Sequence, residues 1–169
     1  GEMTDFDLLE TARIAVNWIE RGSKSDLRIS YEGQAPCMVR GRPGHIQQVL
    51  MNLGTNAWQA VELGTGRIEV GLDCARVTRE TSPHPELAPG SDGRITVSDN
   101  GSGMDDATLD HLFDPFYTTK EPGKGTGLGL YVCYRIVEDL KGAIRVESSP
   151  EKGTSVIVAL PNCDDNEGD

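Results

Sequence analysis

The stretch from His45 to Val61 limits what this chain can fold into more than any other part of it. On a helix turning about 100° per residue, Ile46, Val49, Leu50, Leu53, Ala57, Ala60 and Val61 share one stripe, and Gln48, Asn52, Asn56 and Gln59 form a polar stripe beside it. An apolar stripe that wide has to be buried against a second layer, which sets the amides along one edge of the buried face. Neutral carboxamide oxygens can hold Mg²⁺ without adding charge, and their NH₂ groups can donate to phosphate, where Asp or Glu would repel an anion. The same stripe also fits a plain solvated helix edge, so a second motif has to decide.

Around this helix the sequence switches between helical and strand periods. Asp7 followed by Glu10 opens a capping-box pattern, and Leu9, Ala12, Val16 and Ile19 carry a helix to Gly22. Residues 27–31 alternate as a half-buried strand, with residues 36–39 as the expected pairing partner ahead of a turn at 41–44. Strand patterns return at 67–72 and 94–98, and the connection at 76–93, which carries Pro83, Pro85 and Pro89, reads as a mobile hairpin tip. Asp105 caps a short helix expected to reach Phe113, and the residues that follow are rich in glycine, threonine and lysine, so that about 104–126 reads as a lid. Helical spacing resumes at Leu130, Cys133, Tyr134, Val137 and Leu140, with Gly142 placed to end the helix. Ile144 and Val146, then Val156, Val158 and Leu160, alternate on either side of a turn at 151–153. This order predicts an α+β fold: a two-layer α/β sandwich with a mixed, mostly antiparallel sheet and about three helices on one face. One domain is expected over residues 1–161, followed by an acidic tail at 162–169.

Charge narrows the partners. The chain has 27 Asp plus Glu against 16 Lys plus Arg, a field that opposes DNA, RNA and anionic lipid, so any polyanion must be met by a local site. Cys37, Cys74, Cys133 and Cys163 are scattered without metal-ligand spacing and read as reduced thiols of a cytoplasmic protein. No apolar run approaches the roughly 18 residues of a membrane helix, and no direct membrane contact is expected.

Two glycine-rich stretches supply the deciding motif. Asp99-Asn100-Gly101-Ser102-Gly103 follows a strand, where a carboxylate can accept a hydrogen bond from an amino group on a base and the glycines permit close backbone approach; a hairpin or Asx turn is the other reading. Gly123 to Gly129 leads into the helix from Leu130, so its backbone N–H groups and the helix dipole can surround phosphate, with Lys120 and Lys124 adding local positive charge. A dinucleotide fingerprint fits poorly, because the stretch follows a lid and not a strand, and no Walker ending is present.

Taken in this order, the pieces resemble the Bergerat-type ATP-binding fold of the GHKL superfamily, which groups gyrase-type ATPases, heat-shock chaperones, mismatch-repair ATPases and sensor histidine kinases. Residues 45–57 resemble the N box of the histidine kinases, 99–103 the first glycine box, 113–116 the F box, 125–130 the second glycine box and Gly153-Thr154 the final motif. In its wording from Phe113 to Leu130 the chain is most similar to nitrogen-regulation-type sensor kinases.

The resemblance implies ATP and Mg²⁺ as cofactors and assigns roles. Asn56 would bind Mg²⁺, and Asn52 would contact the phosphates or the ion's water shell. Gln59 stands near where some members carry a basic residue for phosphate. Asp99 would receive the adenine amino group with Thr154 nearby, and Gly101 and Gly103 would line the base pocket. Gly125, Thr126, Gly127, Leu128 and Gly129 would hold the phosphates; Thr118, Thr119, Lys120 and Lys124 belong to the lid, whose lysines would reach the β- and γ-phosphates. Phe113 and Phe116 would either anchor the lid in the core or touch the ligand.

Asn52 selects the branch. Hydrolytic members and serine-directed kinases carry a glutamate base at this position, whereas a carboxamide cannot take a proton at neutral pH. A histidine acceptor needs no such base, since its neutral imidazole already has a nucleophilic lone pair. Asn52 and Lys120 would then serve the transfer step by positioning and electrostatics. His45, His84 and His111 all lack the acceptor pattern and read as surface histidines. The acceptor histidine is expected in a dimerisation domain of a longer, homodimeric protein that passes the phosphoryl group to a response regulator, with this domain alone a monomer. A nucleotide-sensing binding module and a GHKL ATPase are the alternatives.

Overall fold

The computed structural model describes residues 2–22, 26–31, 37–61, 65–77, 90–117 and 129–161. Along the chain these form β1 (Thr4–Asp7), α1 (Leu8–Gly22), β2 (Asp26–Tyr31), β3 (Met38–Gly41), α2 (Pro43–Ala60), β4 (Arg67–Val77), β5 (Gly90–Asp99), α3 (Asp106–Asp110), α4 (Gly129–Asp139), β6 (Ala143–Ser148) and β7 (Thr154–Pro161). Five strands make one sheet in the order β2-β4-β5-β7-β6, with β2 parallel to β4 and the other neighbours antiparallel.

The strand period of two builds apolar rows across this sheet. Leu72, Ile95, Val158 and Ile144 stand in register, as do Val70, Val97, Val156 and Val146. Their face packs with the apolar stripes of α1, α2 and α4 to form the core, in which Leu8, Ile46, Val49, Ile68, Ile95 and Val137 are almost fully buried. The result is the two-layer α+β sandwich expected from the sequence.

A capping carboxylate and a proline explain where the first two helices begin. Asp7 Oδ1 accepts from the N–H of Leu9 at 3.1 Å, and also from the N–H of Cys37 at 3.1 Å, so one carboxylate caps α1 and fixes the approach to β3. Pro43 starts α2, its fixed φ suiting the first helical turn, two residues earlier than the periodicity suggests.

Some local expectations are corrected. The strand at 38–41 does not pair with residues 26–31; it pairs antiparallel with β1, Phe6 opposite Val39 and Arg40 bridging to Asp5 at 3.0 Å. β2 instead lies parallel to β4, an arrangement that requires a crossover and therefore sends α2 over the sheet. The ladder between β4 and β5 runs on to Val77 and Gly90, taking in residues 76–77 and 90–93 that the sequence assigns to the connection; residues 78–89 lie outside the described residues, as does the tail. α3 stops at Asp110 because the backbone tightens into three-residue bonds, His111 N to Thr108 O and Leu112 N to Leu109 O.

The end of α4 also differs in its cause. Lys141, at φ 62°, is the left-handed residue, and Gly142 N bonds Val137 O at 3.0 Å while Lys141 N bonds Glu138 O at 2.9 Å. Gly142 is needed because a Cβ there would collide with the carbonyl of Ala159.

Candidate functional site

One register row of the sheet breaks the apolar pattern. Ile68, Asp99, Thr154 and Ser148 stand opposite one another at the strand ends, two residues beyond the Val70–Val97–Val156–Val146 row and therefore on the same, helix-facing side. A carboxylate, a threonine and a serine thus occupy positions where alternation calls for apolar side chains. Asp99 Oδ1 accepts from Gly101 N at 2.8 Å, and the carboxylate is also bonded by the backbone N–H of Thr154. Burial pushes this carboxyl above its ordinary range, and the two backbone donors oppose the shift without cancelling it.

Ser148 ties the row to the loop after β5. Its Oγ donates to Gly153 O at 3.0 Å and accepts from Met104 N at 2.9 Å, and it lies 2.8 Å from Thr154 Oγ1. With the Ser148 proton spent on Gly153, Thr154 donates to Ser148 and keeps its own lone pairs. Ser102 N reaches Ala60 O at 3.3 Å, which joins the same loop to the end of α2.

The glycines of this loop are explained by backbone contacts. A Cβ at Gly101 would strike the carbonyl of Ala60, and one at Gly103, whose φ is 69°, would strike that of Ser149. Asn100, unassigned by the sequence reading, accepts from Arg67 N at 2.7 Å and donates to Thr65 O at 2.9 Å, fastening the start of β4. Its Asx-turn character was the available signal.

α2 delivers its amides to the same end of the molecule. Asn52 and Asn56, one turn apart, are half-buried, whereas Gln48 and Gln59 are exposed, so the polar stripe divides into an inner and an outer pair. Asn52 Nδ2 lies 3.5 Å from the carbonyl of Gly129, the first residue of α4. Cys133, on the apolar stripe of α4 and fully buried, also meets Asn52. Its helical spacing in the sequence places it on the buried face of α4, but nothing in the sequence distinguishes it from an ordinary thiol.

Phe113 is half-buried with its ring 5.4 Å from that of Tyr134 on α4, in keeping with an anchor. Phe116 is no core residue: it is 73% exposed and its φ is 66°. His45 and His111 are exposed, and His111 Nδ1 lies 2.8 Å from Asp114 Oδ2. Thr118, Thr119, Lys120, Lys124, Gly125, Thr126, Gly127 and Leu128 lie outside the described residues, as does His84.

The donor set suits a hard cation held mainly by a ligand. Among the described residues no group of three or more His, Cys, Asp or Glu could hold a metal by itself. Mg²⁺ commonly keeps several waters and substrate phosphates and takes few protein oxygens, so a half-buried carboxamide such as Asn56 fits it. Among the described residues no helix is long and apolar enough to cross a membrane.

Sheet, helices and polar row together define an α/β sandwich in which the end of α2, the loop after β5 and the start of α4 meet beside the polar row. The family described as histidine kinase-, DNA gyrase B-, and HSP90-like ATPase matches residues 41–163, and the chain belongs to it. Sporulation kinase D of Bacillus subtilis is 36% identical over 136 residues, which cover 80% of this chain and 24% of that protein. Sensor kinase CckA of Brucella abortus is 35% identical over 141 residues, 83% of this chain and 15% of that protein. The chain therefore spans a quarter or less of the length of these relatives. The catalytic domain of the histidine kinase ThkA superposes with a TM-score of 0.75 at 28% identity, covering 96% of this chain and 99% of that one.

Proposed function

We propose that the domain binds Mg-ATP and transfers its γ-phosphoryl group to a histidine in a separate dimerisation domain, for relay to a response regulator. The observation that carries this reading is the polar row at the sheet end: Asp99 is half-buried and bonded on the helix-facing side, next to the end of the helix that bears Asn52 and Asn56. A fixed acceptor partly withdrawn from water is suited to an exocyclic amino group, as on adenine. Asn56 would take Mg²⁺ one turn from Asn52, and Gly129 would close the phosphate loop at the start of α4.

The amide at position 52 favours transfer over hydrolysis, because it offers no base to activate water. Lys120, Lys124 and the loop from Gly125 to Leu128 complete the phosphate contacts in this reading, with Thr118 and Thr119 beside them. The parent protein would act as a homodimer with this domain in the cytoplasm. Calorimetric titration with ATP tests the first step: binding strengthened by Mg²⁺ is expected, and absence of any binding would overturn the reading.

A further inference from the structure

We propose that Cys133 is a positioning residue that orients the Asn52 carboxamide, so that Asn52 presents Oδ1 and not its NH₂ group to the bound nucleotide and metal. The inference rests on the nucleotide-site reading above and adds to it which atom of Asn52 acts.

The Asn52 carboxamide meets two residues of α4. Nδ2 lies 3.5 Å from the Gly129 carbonyl, and the amide is hydrogen-bonded to the Cys133 thiol. Cys133 Sγ in turn donates to Val49 O at 3.8 Å, one turn back along α2 from Asn52. With its proton given to Val49, the sulfur has only lone pairs to offer, so it accepts the second N–H of Asn52.

A flipped amide would set Oδ1 against the Gly129 carbonyl, two acceptors facing each other, and would leave the buried sulfur without a donor. Oδ1 is therefore the atom left for the pocket. An oxygen suits a cation or its water shell and repels a phosphate oxygen, so Asn52 acts on the metal side of the nucleotide. The same contacts tie α2 to the residue at which the glycine-rich loop becomes α4.

The test compares ATP affinity in Mg²⁺ with ATP affinity in EDTA, by calorimetry, for the wild type, Cys133→Ala, Cys133→Val and Cys133→Ser. Valine fills the space without a polar atom and keeps the comparison available if the alanine variant does not fold. Loss of one hydrogen bond predicts that the ratio of the two affinities falls about fivefold in the alanine and valine variants while the metal-free affinity is kept. Serine, with a donor and an acceptor, should recover part of that ratio. A ratio that stays at the wild-type value, or metal-free and metal-bound affinities that fall together, would overturn the inference and leave the nucleotide site standing. A wild-type domain that binds no ATP would instead remove the site reading, and this inference with it.

Discussion

Asp99 of β5 stands directly opposite Thr154 of β7, and the carboxylate of the first is bonded by the backbone N–H of the second. This pair ends the apolar rows of the sheet and turns the last row into a polar floor. Its geometry gives a direct expectation for base recognition. Asp99→Asn replaces the charged acceptor by a neutral group with one oxygen, which Gly101 N already occupies. Hydrogen bonds to charged groups are worth about 1.5–3 kcal/mol, so ATP affinity should fall by roughly ten- to a hundredfold. Calorimetric titration checks this, and an unchanged affinity would remove Asp99 from the base pocket.

The same substitution should act on stability with the opposite sign. Burial raises the folded-state pKa of Asp99 above its ordinary value of 3.8, so its contribution is fully present below that value and is lost as pH rises through the folded pKa. At neutral pH the half-buried charge is a cost, and Asp99→Asn should unfold at a higher temperature than the wild type. The difference should shrink on acidification and vanish below about pH 3.8. Asp105 behaves inversely: the Thr108 hydroxyl, and after it the Thr108 backbone N–H at 2.8 Å, donate to its side chain and hold the carboxyl below its ordinary range, so its contribution is present above that range and lost as pH falls. Thermal unfolding as a function of pH distinguishes the two.

The glycines separate into structural and functional positions. Gly103→Ala and Gly153→Ala place a side chain at φ 69° and 84° and drive it into a backbone carbonyl, so each should cost roughly 2–4 kcal/mol. At Gly129 and Gly44 the space a Cβ would fill is open. Gly44→Ala, in the first turn of α2, should stabilise by about 0.4–1 kcal/mol. Gly129→Ala should keep the wild-type fold while weakening ATP binding. Denaturant unfolding paired with titration tests all four.

Much of this was legible from residue periodicity. The burial of Ile46, Val49, Leu50, Leu53 and Ala57 follows the stripe drawn from the sequence, because a side chain's direction on a helix is fixed by its number alone. Strand partners were not legible in the same way. Alternation says that residues 38–41 form a strand, but its partner is fixed by long-range contacts: the Asp7 carboxylate bonded to both Leu9 N and Cys37 N, and Arg40 paired with Asp5, bring that strand to β1. The extension of β4 and β5 is hidden because Asp73 on one strand and Gly90, Asp92 and Gly93 on the other interrupt the apolar alternation. For the proposed site, glycine and amide chemistry points to Asp99, Asn52 and Asn56. Cys133 did not stand out, since its contact with Asn52 arises only when α4 packs on α2.

The central claim is transfer of phosphate to a histidine, and labelling of the full-length protein with γ-labelled ATP tests it most directly. The account predicts Mg²⁺-dependent label that is lost in acid and stable in alkali, as a phosphohistidine is. Asn56→Ala should reduce that label about a hundredfold or more, the scale of removing one group that stabilises charge in the transition state. Steady release of inorganic phosphate with no acid-labile phosphoprotein, or full labelling in Asn56→Ala, would contradict it.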